Sequence, residues 1–206
     1  MSLRLYRDAA LLEIISRDGA QTQPDTETSL DGVAGAAAEK NLYLAPERAK
    51  LSVAVTDVDA TEFSMDRAAF ADTNYSHAII DSEEVLITAG HGTSAPTVTR
   101  GYNGSTKATH LLAAALIMIY NYSDIQIEPD DVDGTDEEAY LTYSLDAGVT
   151  WYSALDGAGG NIQPADMGHA DAAVTVRRKA TIPAGHAVSR RVDLRHVVTF
   201  TAEVPA

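Results

Sequence analysis

The chain has 206 residues, of which 45% are apolar and only 6% aromatic, with 14 glycines, 7 prolines and no cysteine. It carries 15 basic and 30 acidic residues, a formal charge of −15, so a nucleic-acid backbone would repel it and we expect no direct nucleic-acid binding. Without cysteine it has no disulfide and no thiolate metal ligand, and its apolar run from Leu111 to Tyr120 is about half the length of a membrane crossing, so we expect no membrane insertion.

The composition favours strands over helices. Threonine and valine are frequent and glycines are scattered through the chain, which suits short strands joined by tight turns. We therefore predict an all-β fold, a β-sandwich of Ig-like or jelly-roll-like type that carries a small inserted β-barrel or meander.

The N-terminal part of the chain is expected to begin the outer sandwich. Apolar and polar residues alternate over 3–7, and residues 10–15 fit a strand or a short helix equally well. Residues 16–38 are small and polar, which predicts an exposed loop or an extended arm that lies on a neighbouring subunit. The alternation over 49–55 predicts a half-buried strand.

Residues 57–110 contain their own series of short apolar runs separated by Gly, Asp or Asn. This pattern is typical of a small all-β module, with strands predicted at 62–65, 77–80, 84–89 and 97–100. The outer domain then resumes, with strands predicted at 114–121, 123–128, 139–144, 149–153, 173–177, 180–183 and 192–204. We therefore predict a discontinuous outer domain of residues 1–56 and 111–206, with the module 57–110 inserted in one of its surface loops.

The most informative motif lies inside this module. Residues 80–87 read I-D-S-E-E-V-L-I, and residues 97–110 read V-T-R-G-Y-N-G-S-T-K-A-T-H after a first T. Together they resemble a module of tail, baseplate and fibre proteins of tailed bacteriophages, in which an I-x-x-E strand precedes V-T-R-G-x-x-G-T-x-A-x-x-H. The resemblance covers roughly 30 residues and departs from the pattern at Ser105, which precedes Thr106. It implies a virion protein of a bacterial or archaeal tailed virus, whose partners are other virion proteins and copies of itself.

The residues of this motif favour a structural role. Gly101 and Gly104 permit a tight reversal with positive φ, and Arg100 is placed to pair with Glu83 or its neighbour Glu84. We expect His110 to hydrogen-bond the backbone across the turn. Acid–base catalysis is the alternative, but no nucleophile or second positioned carboxylate accompanies these residues.

A second motif predicts a hairpin. Ser144, Asp146, Gly148 and Trp151 match the S-x-D-x-G-x-x-W pattern of the Asp box, which is known from sialidases and other β proteins. The pattern predicts that the aspartate caps the turn, the glycine takes a left-handed conformation and the tryptophan packs beneath. Because a single copy cannot build a propeller, we interpret it as a turn rather than a sugar-hydrolysing site.

The remaining polar clusters predict no catalytic residue, cofactor site or metal site. Residues 130–138 are rich in carboxylates that suit a cation such as calcium, but they lack the spacing of an EF-hand, and a solvated loop is the favoured interpretation.

The sequence thus predicts a non-catalytic structural component of the tail, baseplate or neck of a virus particle. A head decoration protein is one alternative, and a glycan-binding module that uses Trp151, Tyr152 and Tyr102 at the virion surface is another. A polysaccharide-degrading enzyme would need two carboxylates about 5 to 10 Å apart in a cleft.

Overall fold

A computed structural model of the chain describes residues 2–17, 20, 21, 25, 30–131, 137–153, 162–185 and 194–205. Within these ranges the secondary structure consists of strands and two short 3-10 helices, Tyr102–Gly104 and Glu137–Tyr140. The predicted all-β fold is confirmed, and the arrangement as a sandwich stays a prediction. Among the same residues, no helix combines the length and the hydropathy that a membrane span requires.

The strands are numbered in chain order. They are β1 (Leu3–Tyr6), β2 (Ser16–Arg17), β3 (Ala20–Gln21), β4 (Ala36–Pro46), β5 (Arg48–Lys50), β6 (His77–Ile80), β7 (Glu83–Ala89), β8 (Thr97–Thr99), β9 (Ala115–Met118), β10 (Asn121–Asp131), β11 (Leu141–Ser144), β12 (Tyr152–Ser153), β13 (Val174–Ile182) and β14 (Leu194–Glu203).

Two five-stranded antiparallel sheets and a long two-stranded ribbon make up most of the described structure. The first sheet has the order β1-β4-β13-β11-β12, and the second has the order β5-β9-β6-β7-β8. The ribbon pairs β10 with β14, with a register shift between Ser123 and Gln126. The short strands β2 and β3 pair only with each other.

The second sheet contains three of the four strands predicted within residues 57–110, and the fourth, at 62–65, is reduced to isolated bridges at Glu62 and Met65. The strands predicted at 77–80, 84–89 and 97–100 are present as β6, β7 and β8. The sheet also contains β5 and β9, which lie outside residues 57–110 and were assigned to the outer domain. An apolar run reveals a strand but not its partner, because pairing between segments far apart in sequence depends on the whole fold.

The larger hydrophobic cluster joins both sheets and the ribbon. It contains Leu44 of the first sheet, Ile80 and Val85 of the second, and Ile127 and Val198 of the ribbon. Each fully buried aliphatic side chain of this kind contributes roughly 1.5–3 kcal/mol. The two five-stranded sheets and the ribbon therefore share a common core.

Two predictions for the N-terminal half are wrong in part. Residues 36–38 of the predicted arm begin β4, and the side chain of Asp25 in the same segment is buried rather than exposed. The strand predicted over 49–55 is reduced to β5 and to isolated bridges at Leu51 and Val55, with Val53 exposed between them. The alternation of residue types was real, but no continuous partner strand lies beside it among the described residues.

Candidate functional site

Glu83 occupies the centre of the candidate site. It is the first residue of β7, directly after the turn at Asp81 and Ser82, and the alternation of β7 directs it to the same buried face as Val85 and Ile87. A carboxylate with a side chain 0% exposed is unfavourable unless charged or polar partners compensate it.

Arg100, which follows β8, supplies the main compensation. Its Nε and Nη2 donate to the two oxygens of Glu83 at 2.6 Å each, in the bidentate geometry that suits a guanidinium and a carboxylate. Its other donor group lies 3.4 Å from the carbonyl oxygen of Ala60, and Nη2 also donates to the carbonyl of Ala108. The guanidinium lies over the ring of Phe63, 5.2 Å from its centroid. These contacts hold the segments that contain Ala60, Phe63 and Ala108 against Arg100 and the start of β7.

The loop after Arg100 closes around Glu83 through its backbone. The N–H groups of Gly101 and Ala108 donate to the carboxylate at 3.0 and 2.9 Å. Gly101 and Gly104 have φ values of 65° and 79°, the left-handed conformation that was predicted for them. The reversal at the glycines thus turns the chain back toward the acid.

His110 completes what we call the Glu83 cluster, defined as Asp81, Glu83, Arg100 and His110. Its Nε2 lies 2.9 Å from Oε2 of Glu83 and its Nδ1 lies 2.7 Å from Oδ2 of Asp81. The expectation that this side chain bonds the backbone is therefore wrong, and only its main chain pairs across, with Val55. The ring is fully buried between two carboxylates that the turn brings to the same side, so the expectation that no second carboxylate is positioned beside these residues is wrong.

The electrostatics of the cluster keep Glu83 ionised. Burial by itself raises the pKa of Glu83, but the hydrogen bonds from Arg100, Ala108, His110 and Gly101 outweigh it and lower the pKa to about 2. A carboxylate that is buried and surrounded by donors in this way fixes the chain around it, whereas a general acid or base needs access to a substrate.

The Asp box forms the predicted hairpin between β11 and β12. Asp146 accepts hydrogen bonds from the Ser144 hydroxyl at 2.6 Å and from the N–H groups of Val149 and Thr150 at 3.1 and 2.8 Å. The hydrogen bond from Ser144 and those from the backbone and side chain of Thr150 lower the pKa of Asp146 well below its usual range. The aspartate caps the turn, as its position in the motif predicts.

Gly148 and Trp151 pack this hairpin onto β13. Gly148 has a φ of 93°, and a Cβ placed there would lie 3.2 Å from both the Trp151 ring and Nη1 of Arg177. Arg177 donates to the carbonyl of Ala147 at 2.6 Å, and the ammonium of Lys179 lies 5.4 Å from the centroid of the Trp151 ring. The tryptophan is therefore engaged on one face by its own sheet.

A second buried cluster, which the sequence did not predict, is centred on Asp25. Its oxygens accept from Nε and Nη2 of Arg178 at 2.7 Å each, and His196 Nε2 lies 3.2 Å away. The hydroxyl of buried Tyr143 lies 2.6 Å from the other nitrogen of His196. Burial raises the pKa of Asp25, yet His196 and Arg178 together bring it below the usual range. The available signal was Arg178 itself, which stands at an inward position of β13 and so required a carboxylate partner.

A third buried pair was also missed. Arg4 Nη2 and Glu47 Oε2 are 3.1 Å apart with side chains 4% and 1% exposed, and Glu47 also accepts the N–H of Phe70 at 3.0 Å. The pair connects β1 to the start of the second sheet. Nothing in the local pattern of β1 distinguishes Arg4 from an exposed residue of an edge strand.

The other predicted functional residues are not brought together. Trp151 and Tyr152 lie at the β11–β12 hairpin, whereas Tyr102 lies after β8 in the second sheet and stacks edge-on against His77. Residues 132–136 of the acidic run lie outside the described residues. In the part of the chain that the structure describes, no group of three or more acidic and histidine side chains is arranged to hold a metal ion.

Comparisons with protein-family models, with curated proteins and with solved structures find no significant match to this chain.

Proposed function

We propose that this chain is a non-catalytic structural subunit of a tailed virus particle, located in the tail, baseplate or neck. The observation that carries the proposal is the Glu83 cluster. Glu83, Arg100 and His110, which belong to the segment that resembles virion modules, are buried, and Glu83 bonds both of the others, so these side chains hold the 100–110 loop in place.

The acidic surface also supports an assembly role. With a net charge of −15, copies of the chain remain soluble at high concentration until specific contacts bring them together. Strand edges and exposed loops then supply those contacts, which requires no bound cofactor.

The test is the composition and labelling of purified particles. We expect peptides of this chain in particles purified from the cells that produce it, and antibody labelling at the tail or baseplate in electron micrographs. Labelling on the head would instead support the decoration alternative. Absence of the chain from particles, in cells that contain it, would refute the virion proposal altogether.

A glycan-binding role is the second proposal, and the exposed ring of Tyr152, 43% accessible beside Trp151, is the observation that favours it. An aromatic platform of this kind stacks against sugar rings. We expect any glycan that binds on an array to be lost in Tyr152→Ala and retained in Tyr102→Ala, because Tyr152 lies in β12 of the first sheet and Tyr102 lies in the 3-10 helix that follows the second sheet's β8. An array without any bound glycan at high protein concentration would rule out this role.

A further inference from the structure

The outer edge of β14 is the longest open strand edge in the described structure. β14 has 10 residues and pairs on one side with β10, and no hydrogen bond from another described residue reaches its other side. The terminal strands of the two five-stranded sheets are much shorter, for example 2 residues in β12 and 3 in β8. An open edge of this length is a ready template for another strand.

The hydrogen bonds of β10 reveal which groups of β14 point outward. Ile127 exchanges both backbone hydrogen bonds with Ile162, on the side of β10 that faces away from β14. Its partner Val198 therefore belongs to a pair without hydrogen bonds, and directs its own N–H and C=O to the outer edge.

The same holds at the other end of the ribbon. Tyr122 exchanges its backbone hydrogen bonds with Met167, so its partner Ala202 also points its N–H and C=O outward. By the alternation of a strand, His196 and Phe200 do so as well. His196, Val198, Phe200 and Ala202 thus direct a row of donors and acceptors to the outer edge, and no backbone group of another described residue bonds to them.

We propose that this edge is an interaction surface for a second copy of this chain, through antiparallel pairing of β14 with β14. When Thr199 faces itself on a two-fold axis, His196 lies opposite Ala202 and Val198 lies opposite Phe200. All of these opposed residues are outward-pointing, so each pair exchanges two hydrogen bonds. The symmetry repeats both pairs, and every open group of the four residues is satisfied.

This register also matches the residues of the exposed face. Thr199, Thr201 and Glu203 are exposed in the chain alone. Pairing about Thr199 sets Val197 opposite Thr201, and it sets Arg195 opposite Glu203, which carries the opposite charge. Opposite charges at directly facing positions favour the pair, and a register shifted by two residues would no longer place Arg195 opposite Glu203.

The edge lacks two of the usual protections against such pairing. The strand reads L-R-H-V-V-T-F-T-A-E, without a lysine or a proline within it. A second copy fits better than an unrelated strand because the register is self-complementary in donors, acceptors and charge. This contact would be one of the subunit contacts of the proposed assembly, and only its occurrence in a particle rests on the proposed function.

The experiment measures the oligomeric state of the full chain by light scattering after gel filtration, over a range of concentrations. We expect the wild type to form a dimer. Thr199→Lys places two like charges opposite each other at the axis, and we expect the dimer dissociation constant to rise at least about tenfold. Thr201→Lys is the matched control, because its partner Val197 is uncharged, and we expect it to remain dimeric.

A charge exchange tests the register. Glu203→Arg faces Arg195 and weakens the dimer, and the double variant Glu203→Arg with Arg195→Glu restores it. Thermal unfolding of each variant identifies any that fails to fold. If a charge-exchange variant does not fold, the comparison of Thr199→Lys with Thr201→Lys still tests the dimer contact.

A wild type that stays monomeric at high concentration would overturn the inference, and so would equal dissociation constants for Thr199→Lys and Thr201→Lys. These results are independent of particle composition. If the purified chain is a monomer in solution but is present in purified particles, the β14 contact is refuted and the virion role is not. If the chain is a dimer in solution but is absent from particles, the virion role is refuted and the β14 contact is not.

Discussion

The burial of ionised groups is the dominant feature at the scale of single residues. Glu83, Asp25 and Glu47 each receive a buried arginine, and two of them also receive a histidine. Replacing such a pair with apolar residues is often tolerated, but removing one partner leaves a buried charge without compensation. These positions should therefore be sensitive to substitutions that neutralise one side.

Glu83→Gln should destabilise the protein strongly. The change keeps the size of the side chain but removes the charge that compensates Arg100 and that His110 faces, and we expect a loss of about 3–5 kcal/mol in the free energy of unfolding. Urea denaturation followed by circular dichroism measures it. The matched control is Glu84→Gln, whose carboxylate accepts an exposed bond from Asn103 and no other from the described residues, with an expected change within about 0.5 kcal/mol. Equal effects of the two changes would contradict the assigned role of Glu83.

The depressed pKa of Glu83 also predicts an acid-sensitive stability. Because the folded-state pKa is about 2 and the ordinary value is 4.5, the stabilisation is complete above pH 4.5 and is lost as the pH falls toward 2. Asp25 and Asp146, whose pKa values are also lowered, act in the same direction. We expect Glu83→Gln to flatten the dependence of the unfolding free energy on pH in this window. Parallel curves for wild type and Glu83→Gln would contradict the assignment.

At the scale of elements, the Asp-box hairpin shows how a short motif positions a strand. Asp146 caps the turn and Gly148 lets the chain pass between Trp151 and Arg177. The glycine is required both for its positive φ and for the missing Cβ. Gly104 allows the two requirements to be tested separately, because it has a positive φ but has space for a Cβ.

Gly148→Ala should cost more stability than Gly104→Ala. Both glycines have positive φ, but a Cβ at Gly104 meets no atom within 4 Å, whereas one at Gly148 meets Trp151 and Arg177 at 3.2 Å. We expect an excess loss of roughly 1–3 kcal/mol for Gly148→Ala from overpacking. Melting temperatures of the two variants measure it, and equal shifts would show that packing beneath the turn contributes nothing.

At the scale of the whole molecule, strand pairing joins residues inside and outside the predicted module 57–110 in one sheet. β9 lies between β5 and β6, so the second sheet spans the chain from Arg48 to Met118. A fragment limited to residues 57–110 lacks both β5 and β9 and leaves β6 without its partner on one side.

We therefore expect a fragment of residues 57–110 to be unfolded. A longer fragment, residues 47–119, carries all five strands and should show more strand signal by circular dichroism and wider dispersion of amide resonances. Identical spectra for the two fragments would show that β5 and β9 are dispensable for the folding of residues 57–110.

Much of this protein follows from sequence alone. The residue types and their alternation determined the all-β class, the positions of β6, β7 and β8, and the reversal at Gly101 and Gly104, because these depend on local propensity and backbone sterics. The pairing of Arg100 with Glu83 was also within reach, since only 17 residues separate them.

The tertiary structure alone decided which distant segments meet. Asp25 and Arg178 are 153 residues apart, and the carboxylates around His110 and the sheet that receives β9 are likewise set by long-range packing. An arginine at an inward position predicts that a carboxylate lies buried beside it, but in an acidic chain many carboxylates are equally good candidates. Which of them lies beside the arginine depends on the free energy of the complete fold, and no local pattern contains that information.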